Sequence, residues 1–254
     1  MLNKIIVVFP GQGSQIVGMG RDLFKNHHIA KQVFDEVDNT LNQKLSKIIF
    51  DGPESELTLT QNTQPAIMSV SMALVRVIEY ESKKKIFEFS DTILGHSLGE
   101  YSALCSQNAL SLKDTTLLLK KRGKAMQDSV KNLKTKMVAV IGLDINKVEK
   151  IIEENIIDKS EICEIANDNC PGQVILSGTE KGVTFMSNIL KDNGARSIVD
   201  LKVSAPFHCS LMNKASDVMK DCLYEISLKE LKSNFVSNVT ANFEKNSEKI
   251  KELL

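Results

Sequence analysis

One serine of the chain lies in a sequence context that suits a nucleophile. Residues 95–99 (Gly-His-Ser-Leu-Gly) fit the Gly-x-Ser-x-Gly pattern of a nucleophile elbow, in which a strand turns sharply into a helix. The glycines leave room beside the central residue, so the hydroxyl of Ser97 is expected to be exposed at the turn. The amide of Leu98 is expected at the helix N-terminus, where it can stabilise an oxyanion. The pattern predicts nucleophilic catalysis at Ser97, and the alternative is a tight turn with an incidental serine.

A serine hydroxyl is a poor nucleophile without a base, and histidine is the usual base near neutral pH. The chain has four histidines. His27 and His28 lie in a polar helical stretch, and His96 precedes Ser97, where the elbow directs it away from the hydroxyl. His208 lies on a loop that enters a helix, where the helix dipole favours a neutral imidazole. We therefore predict His208 as the base. A packed or exposed loop histidine is the alternative, and the choice between a dyad and a triad stays open.

A third candidate is an arginine on the inward face of a predicted helix. The segment 111–114 (Ser-Leu-Lys-Asp) matches a capping box and predicts a helix that runs to about Gln127. The apolar spacing gives this helix an inward stripe of Leu112, Thr115, Leu119, Arg122 and Met126. A buried guanidinium needs an anionic partner, so Arg122 could bind a carboxylate through a bidentate pair. The alternative is that Arg122 extends to the surface.

Composition limits the classes of partner and cofactor. The 254 residues contain 32 Lys and Arg and 32 Asp and Glu, so no global field recruits nucleic acid or an anionic membrane. The five cysteines form no C-x-x-C pair, which favours reduced thiols over disulfides or a zinc site. The apolar run that ends at Phe9 is too short for a membrane span, and Ile16 replaces the third glycine of a dinucleotide fingerprint. We expect a soluble, unprocessed, intracellular protein without nucleic acid, membrane or metal.

The elements predicted around these residues indicate an α/β fold. Residues 4–9 read as a strand that is buried on both faces of a parallel sheet, with further parallel strands at 92–94 and 235–239. A helix over 63–78 is expected to bury Ile67, Val70, Leu74 and Ile78. Between about Met126 and Val203 the order is β-α-β-β-α-β, the ferredoxin-like motif. We therefore predict a large subdomain, 1–127 with 200–254, and an inserted small subdomain, 128–199.

Six spaced motifs carry a family resemblance over nearly the whole chain. They are 9–15 (Phe-Pro-Gly-Gln-Gly-Ser-Gln), 64–66 (Gln-Pro-Ala), 95–104 (Gly-His-Ser-Leu-Gly-Glu-Tyr-Ser-Ala-Leu), 122–127 (Arg-Gly-Lys-Ala-Met-Gln), 169–174 (Asn-Cys-Pro-Gly-Gln-Val) and 204–212 (Ser-Ala-Pro-Phe-His-Cys-Ser-Leu-Met). Together they resemble the malonyl-CoA:acyl carrier protein transacylases of dissociated fatty acid synthesis. The resemblance implies an α/β-hydrolase-like core with a ferredoxin-like subdomain.

The resemblance also implies a role for each candidate residue. Ser97 would take malonyl from coenzyme A as an ester, and His208 would act first as base and then as acid. The amides of Gln12 and Leu98 would form the oxyanion hole, and Arg122 would hold the malonyl carboxylate. The acyl group would then pass to the phosphopantetheine thiol of acyl carrier protein by ping-pong kinetics. We expect malonyl-CoA as substrate, no tightly bound cofactor, a monomer, and a cytoplasmic location or the stroma of a plastid-like organelle.

Two other functions remain open at this point. A serine esterase or thioesterase could use the same elbow, although Arg122 suits an acyl group that bears an acid. A non-catalytic module that binds the carrier protein is a further alternative, because family members usually continue past Leu254 and carry there a glutamine that orients the histidine. Lys120, Lys121 and Lys124 would supply a basic patch for an acidic carrier, or simply a solvated helix face.

Overall fold

The computed structural model describes residues 5–155, 158 and 160–254. The chain divides into two compact units, which are described separately. The first unit comprises Met1–Lys124 and Val218–Leu254, and the second comprises Ala125–Asp217. Together they give a mixed α/β structure with parallel strands and helices. None of the helices in the described ranges combines the length and the apolar character needed to span a lipid bilayer.

The described residues form the following strands and helices. The strands are β1 (Ile6–Phe9), β2 (Thr92–Gly95), β3 (Thr135–Ile141), β4 (Cys163–Cys170), β5 (Gln173–Thr179), β6 (Ser197–Asp200), β7 (Asn234–Val236) and β8 (Phe243–Glu244). The helices are α1 (Arg21–Asn26), α2 (His28–Leu41), α3 (Leu45–Asp51), α4 (Glu54–Thr58), α5 (Thr60–Ser82), α6 (Ile86–Phe89), α7 (Gly99–Ser106), α8 (Leu112–Ser129), α9 (Ile145–Glu154), α10 (Glu180–Asp192), α11 (Asn213–Tyr224) and α12 (Ser247–Leu253), with a 3₁₀ turn at Ser210–Met212.

The sheet of the first unit has the strand order β1-β2-β7-β8. Strands β1, β2 and β7 are parallel, with Phe9 opposite Gly95 and Leu94 opposite Val236, whereas β8 is antiparallel to β7. The prediction that β1 is buried on both faces is wrong, because Ile6 and Val8 are 61% and 63% exposed. Ile6 and Val8 share the exposed face of β1, whereas Val7 is half-buried and Phe9 is buried on the other face, so the strand is covered on one side only.

The helices of the first unit cover the core around Phe9, Ile93 and Phe235. Helix α5 is longer than predicted, and its predicted stripe is only partly buried, since Leu74 and Ile78 are exposed. The helix is apolar on more than one side, so periodicity alone did not identify the side that packs inward. Its buried side chains include Met68, Met72 and Val75.

Helix α8 follows its prediction closely. The hydroxyl of Ser111 accepts a hydrogen bond from the Asp114 amide at 2.9 Å and donates one to Asp114 Oδ2 at 2.6 Å, which caps the helix start. All five residues of the predicted inward stripe are buried. The stripe and the cap are therefore confirmed, and α8 carries Arg122 into the protein interior.

The second unit contains a sheet of order β4-β5-β3-β6 in which all neighbours are antiparallel. Its element order is the predicted β-α-β-β-α-β, and α9 and α10 pack on one core that includes Val138, Leu176 and Val183. A second core holds Phe207 and Met212 with residues of β3 and β5. For this reason the unit extends to Asp217, whereas the predicted small subdomain ended at 199.

Candidate active site

The predicted strand–turn–helix arrangement is present around Ser97. Strand β2 ends at Gly95, α7 begins at Gly99, and Ser97 between them has a φ of 52°, in the left-handed region that non-glycine residues rarely adopt. The two glycines are required by close approach. A Cβ on Gly95 would lie 2.0 Å from the carbonyl carbon of Gly99, and one on Gly99 would lie 2.5 Å from the carbonyl oxygen of Phe9. The turn is therefore too tight for larger residues at positions 95 and 99, and it places Ser97 just after the carboxyl end of β2.

The two amides predicted for an oxyanion hole lie in segments that follow neighbouring parallel strands. Leu98 is fully buried at the start of α7, and Gln12 follows β1, whose last residue is opposite Gly95. In the described part of the chain, neither backbone N–H donates a hydrogen bond to another residue. The Gln12 side chain is anchored by a 3.3 Å hydrogen bond from Nε2 to Thr60 Oγ1. Both amides thus remain available as donors to an oxyanion.

Arg122 lies beside the serine. Its side chain is only 6% exposed, which rules out the alternative in which it extends to the surface. The Nη2 atom donates a hydrogen bond of 3.2 Å to Ser97 Oγ, and the guanidinium carbon lies 5.7 Å from the ring centroid of Tyr101. Within the described residues, Nη1 is buried without a hydrogen-bond acceptor. A buried guanidinium with an open donor is suited to an anionic group carried by an acyl ester on Ser97.

Two further residues of the site were missed by the sequence reasoning. The side chain of Asn238 accepts a hydrogen bond from the Ser97 amide at 2.6 Å and donates one to the Gly95 carbonyl at 2.7 Å. Its backbone N–H donates to Glu100 Oε1 at 2.8 Å. A usable signal existed for Asn238, which lies near the end of the predicted parallel strand 235–239, whose carboxyl end meets the same sheet edge as that of β2.

Glu100 is a buried carboxyl group with an altered pKa. Burial raises the pKa of Glu100 from 4.5 to about 7, against the opposing effects of the Asn238 hydrogen bond and the Arg122 charge. Burial also raises the pKa of Tyr101 to about 12, so its phenol stays neutral beside Arg122. Glu100 is therefore the titrating group near neutral pH in this cluster, and it lies one helical turn from the nucleophile.

Replacing Glu100 by glutamine should flatten the pH dependence of stability between about pH 4.5 and pH 7. In that interval the folded protein keeps a proton that the unfolded chain releases, so the free energy of unfolding of the parent falls as pH rises, by up to about 3 kcal/mol. Glutamine has no titrating proton and still accepts from the Asn238 amide. Urea unfolding across this pH range, with the exposed Glu81→Gln as control, measures the difference. An unchanged slope would assign the effect to another group.

His208 belongs to the second unit, whereas the other predicted site residues belong to the first. It is exposed, with a φ of 58°, on the loop between β6 and the 3₁₀ turn. The loop is anchored on both sides of His208. The Phe207 amide donates to Met137 Sδ at 3.2 Å, and the amide and hydroxyl of Ser210 donate to the Glu164 carboxylate at 2.7 and 2.5 Å. These contacts fix the backbone that carries the imidazole.

One of the three lysines predicted to form a basic patch on α8 is hydrogen-bonded to side chains of the first unit. Lys120 Nζ donates to Gln43 Oε1 at 2.7 Å and to Asn62 Oδ1 at 2.9 Å, and partial burial lowers its pKa. Lys120 thus contributes to packing within the first unit, whereas Lys121 and Lys124 are exposed, and the basic patch stays a prediction. The described residues also contain no cluster of His, Cys, Asp and Glu that could hold a metal ion.

Comparison with known proteins agrees with this geometry. The acyl transferase domain family matches residues 6–252. A malonyl CoA-acyl carrier protein transacylase of Bacillus subtilis (strain 168) is 41% identical over 253 residues, which cover 100% of this chain and 78% of the relative. The crystal structure of an acyl-carrier-protein-S-malonyltransferase from Bartonella henselae aligns with a TM-score of 0.92 at 44% identity, covering 98% of this chain and 78% of that one.

A malonyl-transacylase solved in complex with a type II PKS acyl-carrier protein is also similar. It aligns with a TM-score of 0.92 at 34% identity and covers 99% of this chain and 79% of its own. The family match extends over both units and includes the elbow, Arg122 and His208. The chain belongs to the acyl transferase family, among the malonyl CoA-acyl carrier protein transacylases.

Proposed function

We propose that this chain transfers a malonyl group from malonyl-CoA to the phosphopantetheine thiol of acyl carrier protein through an ester on Ser97. The observation that best supports this proposal is the 3.2 Å hydrogen bond that Nη2 of the buried Arg122 donates to Ser97 Oγ. The other terminal nitrogen of Arg122, Nη1, has no acceptor among the described residues. The carboxylate of a malonyl ester is separated from the acyl carbonyl by a single methylene, so an ester on Ser97 would hold it within reach of the guanidinium. The family of the chain supports the same reaction.

In the first half-reaction, Ser97 Oγ attacks the thioester carbonyl carbon and its proton passes to His208. The oxyanion that forms takes hydrogen bonds from the amides of Gln12 and Leu98, which have no other acceptor in the described residues. The intermediate collapses with cleavage of the carbon–sulfur bond. The coenzyme A thiolate leaves with the proton from His208, and the malonyl ester remains on Ser97.

The second half-reaction reverses these steps with a different thiol. His208 takes the proton of the phosphopantetheine thiol, whose sulfur attacks the ester carbonyl of malonyl-Ser97. The same amides hold the oxyanion, and Ser97 Oγ leaves with the proton from His208. Throughout, Arg122 keeps the malonyl carboxylate in place, which orients the carbonyl towards the attacking atom.

We further propose that the first unit is an α/β-hydrolase-like core and that the second is a ferredoxin-like subdomain inserted into it. The elbow at the carboxyl end of a central parallel strand supports the first assignment. The antiparallel order β4-β5-β3-β6 with two helices supports the second. The division at 127/128 and 199/200 stays a prediction, and residues 200–217 pack with the second unit rather than with the first.

The proposed partner is acyl carrier protein, which a similar malonyl-transacylase binds in its solved complex. Malonyl-CoA is the proposed substrate, and no step of the mechanism needs a bound cofactor. The five cysteines in the described residues are free thiols, which supports a cytoplasmic location.

The test is to incubate the protein with labelled malonyl-CoA together with either holo or apo carrier protein. Label should move to the holo carrier, and none should move to the apo carrier, which lacks the thiol. Label that appears as free malonate regardless of the carrier would favour a hydrolase. Carrier binding while all label stays on coenzyme A would favour a non-catalytic module.

A further inference from the structure

We propose that Asn238 is a positioning residue for the nucleophile, because its carboxamide replaces a backbone peptide opposite His96 and holds Ser97 in its strained turn. The inference rests on the proposed function only in that it takes Ser97 as the nucleophile. Asn238 follows β7, which is hydrogen-bonded to β2.

The register of the two strands explains why this residue reaches the turn. Strands β2 and β7 are parallel, and their last paired residues are Leu94 and Val236. If the register is extended by two residues, position 238 comes opposite position 96. In a parallel ladder, the N–H and C=O of one residue bind the groups before and after the residue opposite. Position 238 would therefore bind the Gly95 carbonyl and the Ser97 amide.

Those are the two groups that the Asn238 side chain binds. Its Nδ2 donates to the Gly95 carbonyl at 2.7 Å, and its Oδ1 accepts from the Ser97 amide at 2.6 Å. The backbone N–H of Asn238 has turned away from the ladder and donates to Glu100 Oε1 at 2.8 Å. The side chain thus continues the sheet hydrogen bonds for one more residue pair after the strand itself has ended.

The opposite side of the turn is held by β1. The His96 amide donates to the carbonyl oxygen of Phe9 at 3.0 Å, so the elbow is hydrogen-bonded to both neighbouring strands. A residue with the positive φ of Ser97 persists only where its surroundings hold it there. Without the Asn238 carboxamide, Ser97 could relax to an ordinary backbone conformation. Its hydroxyl would then move from Arg122, and the Leu98 amide would turn with it.

The experiment compares Asn238→Ala and Asn238→Asp with the parent and with a control. Asn242→Ala is the control, because its Nδ2 donates to the Thr240 carbonyl at 2.8 Å on the same loop and, among the described residues, its side chain has no hydrogen bond to the elbow. One readout is the rate at which a fluorophosphonate probe labels Ser97. This rate depends on the orientation of the Ser97 hydroxyl and not on recognition of the malonyl group. The others are kcat and KM for malonyl-CoA, with thermal unfolding as the folding check.

Asn238→Ala should lower both the labelling rate and kcat about 100-fold, the scale of a displacement of about 1 Å at a reacting atom. KM should stay near that of the parent, because Arg122 remains. Asn238→Asp keeps the side-chain volume and the acceptor for the Ser97 amide but sets an oxygen against the Gly95 carbonyl, so it should also lower the labelling rate, by about 10-fold or more. It also keeps the test decisive if the alanine variant unfolds.

Labelling of Asn238→Ala at the parent rate would overturn the inference, and so would equal losses in Asn238→Ala and Asn242→Ala. A rise in KM without a fall in kcat would also overturn it, since that result would indicate a role in substrate binding. These results differ from failure of the proposed function. In that case the parent itself would show no labelling at Ser97 and no malonyl transfer.

Discussion

Replacing Ser97 by alanine is expected to lower malonyl transfer by a factor of about 10⁴ or more while the protein stays folded. The hydroxyl is the atom that forms the ester, so no acyl-enzyme can accumulate without it. Folding should be little affected, because the hydroxyl lies in a half-exposed turn whose backbone is held by Asn238 and Phe9. The rate of transfer to holo carrier protein and the intact mass after incubation with malonyl-CoA measure the effect.

Ser102→Ala is the matched control for this experiment. Ser102 lies on α7, only a few residues from Ser97, and its buried hydroxyl has no hydrogen-bond partner among the described residues. The same chemical change there should leave transfer at the parental rate. If Ser97→Ala retained activity comparable to that of Ser102→Ala, the nucleophile would have to be another residue.

Replacing Arg122 by alanine is expected to lower kcat/KM for malonyl-CoA about 100-fold more than for acetyl-CoA. The malonyl carboxylate loses a buried, charge-assisted pair of about 3 kcal/mol, whereas an acetyl group has no charge to lose. Arg122→Lys should fall between the parent and the alanine variant, because lysine keeps the charge but not the planar pair of donors. Steady-state rates with the two thioesters measure the ratio directly.

The control for this prediction is Arg196→Ala, which removes an exposed arginine of the second unit. It should leave the preference for malonyl over acetyl unchanged. Equal losses for both thioesters in Arg122→Ala would show that Arg122 supports the turn around Ser97 and does not select the acyl group. The 3.2 Å contact with Ser97 Oγ would then be its whole function.

The parts of the site that could be predicted are those encoded by local patterns. The glycines around Ser97 show the tight turn because each lies where a Cβ would meet backbone atoms. Arg122 was found because helical periodicity placed it on an apolar stripe, and that stripe is buried. Both signals depend on residues that are close together in the sequence, where the geometry of one turn or one helix applies.

The parts that could not be predicted depend on pairing between distant segments. Asn238 reaches Ser97 through the β2–β7 register, and no local pattern specifies which strands will be neighbours. The altered pKa of Glu100 arises from burial among side chains of other elements. The exposure of Ile6 has the same origin, since which face of β1 is covered depends on elements that are distant in the sequence.

The most direct test of the account is to locate the acyl group on the protein after brief exposure to malonyl-CoA, by quenching in acid and mapping the peptides by mass spectrometry. We expect a malonyl adduct on the peptide that contains Ser97, with fragment ions that assign it to that residue. The adduct should disappear when holo carrier protein is added before the quench. A malonyl group on another residue, or transfer to the carrier with no acyl-enzyme at any time, would contradict the central role of the Ser97 hydroxyl.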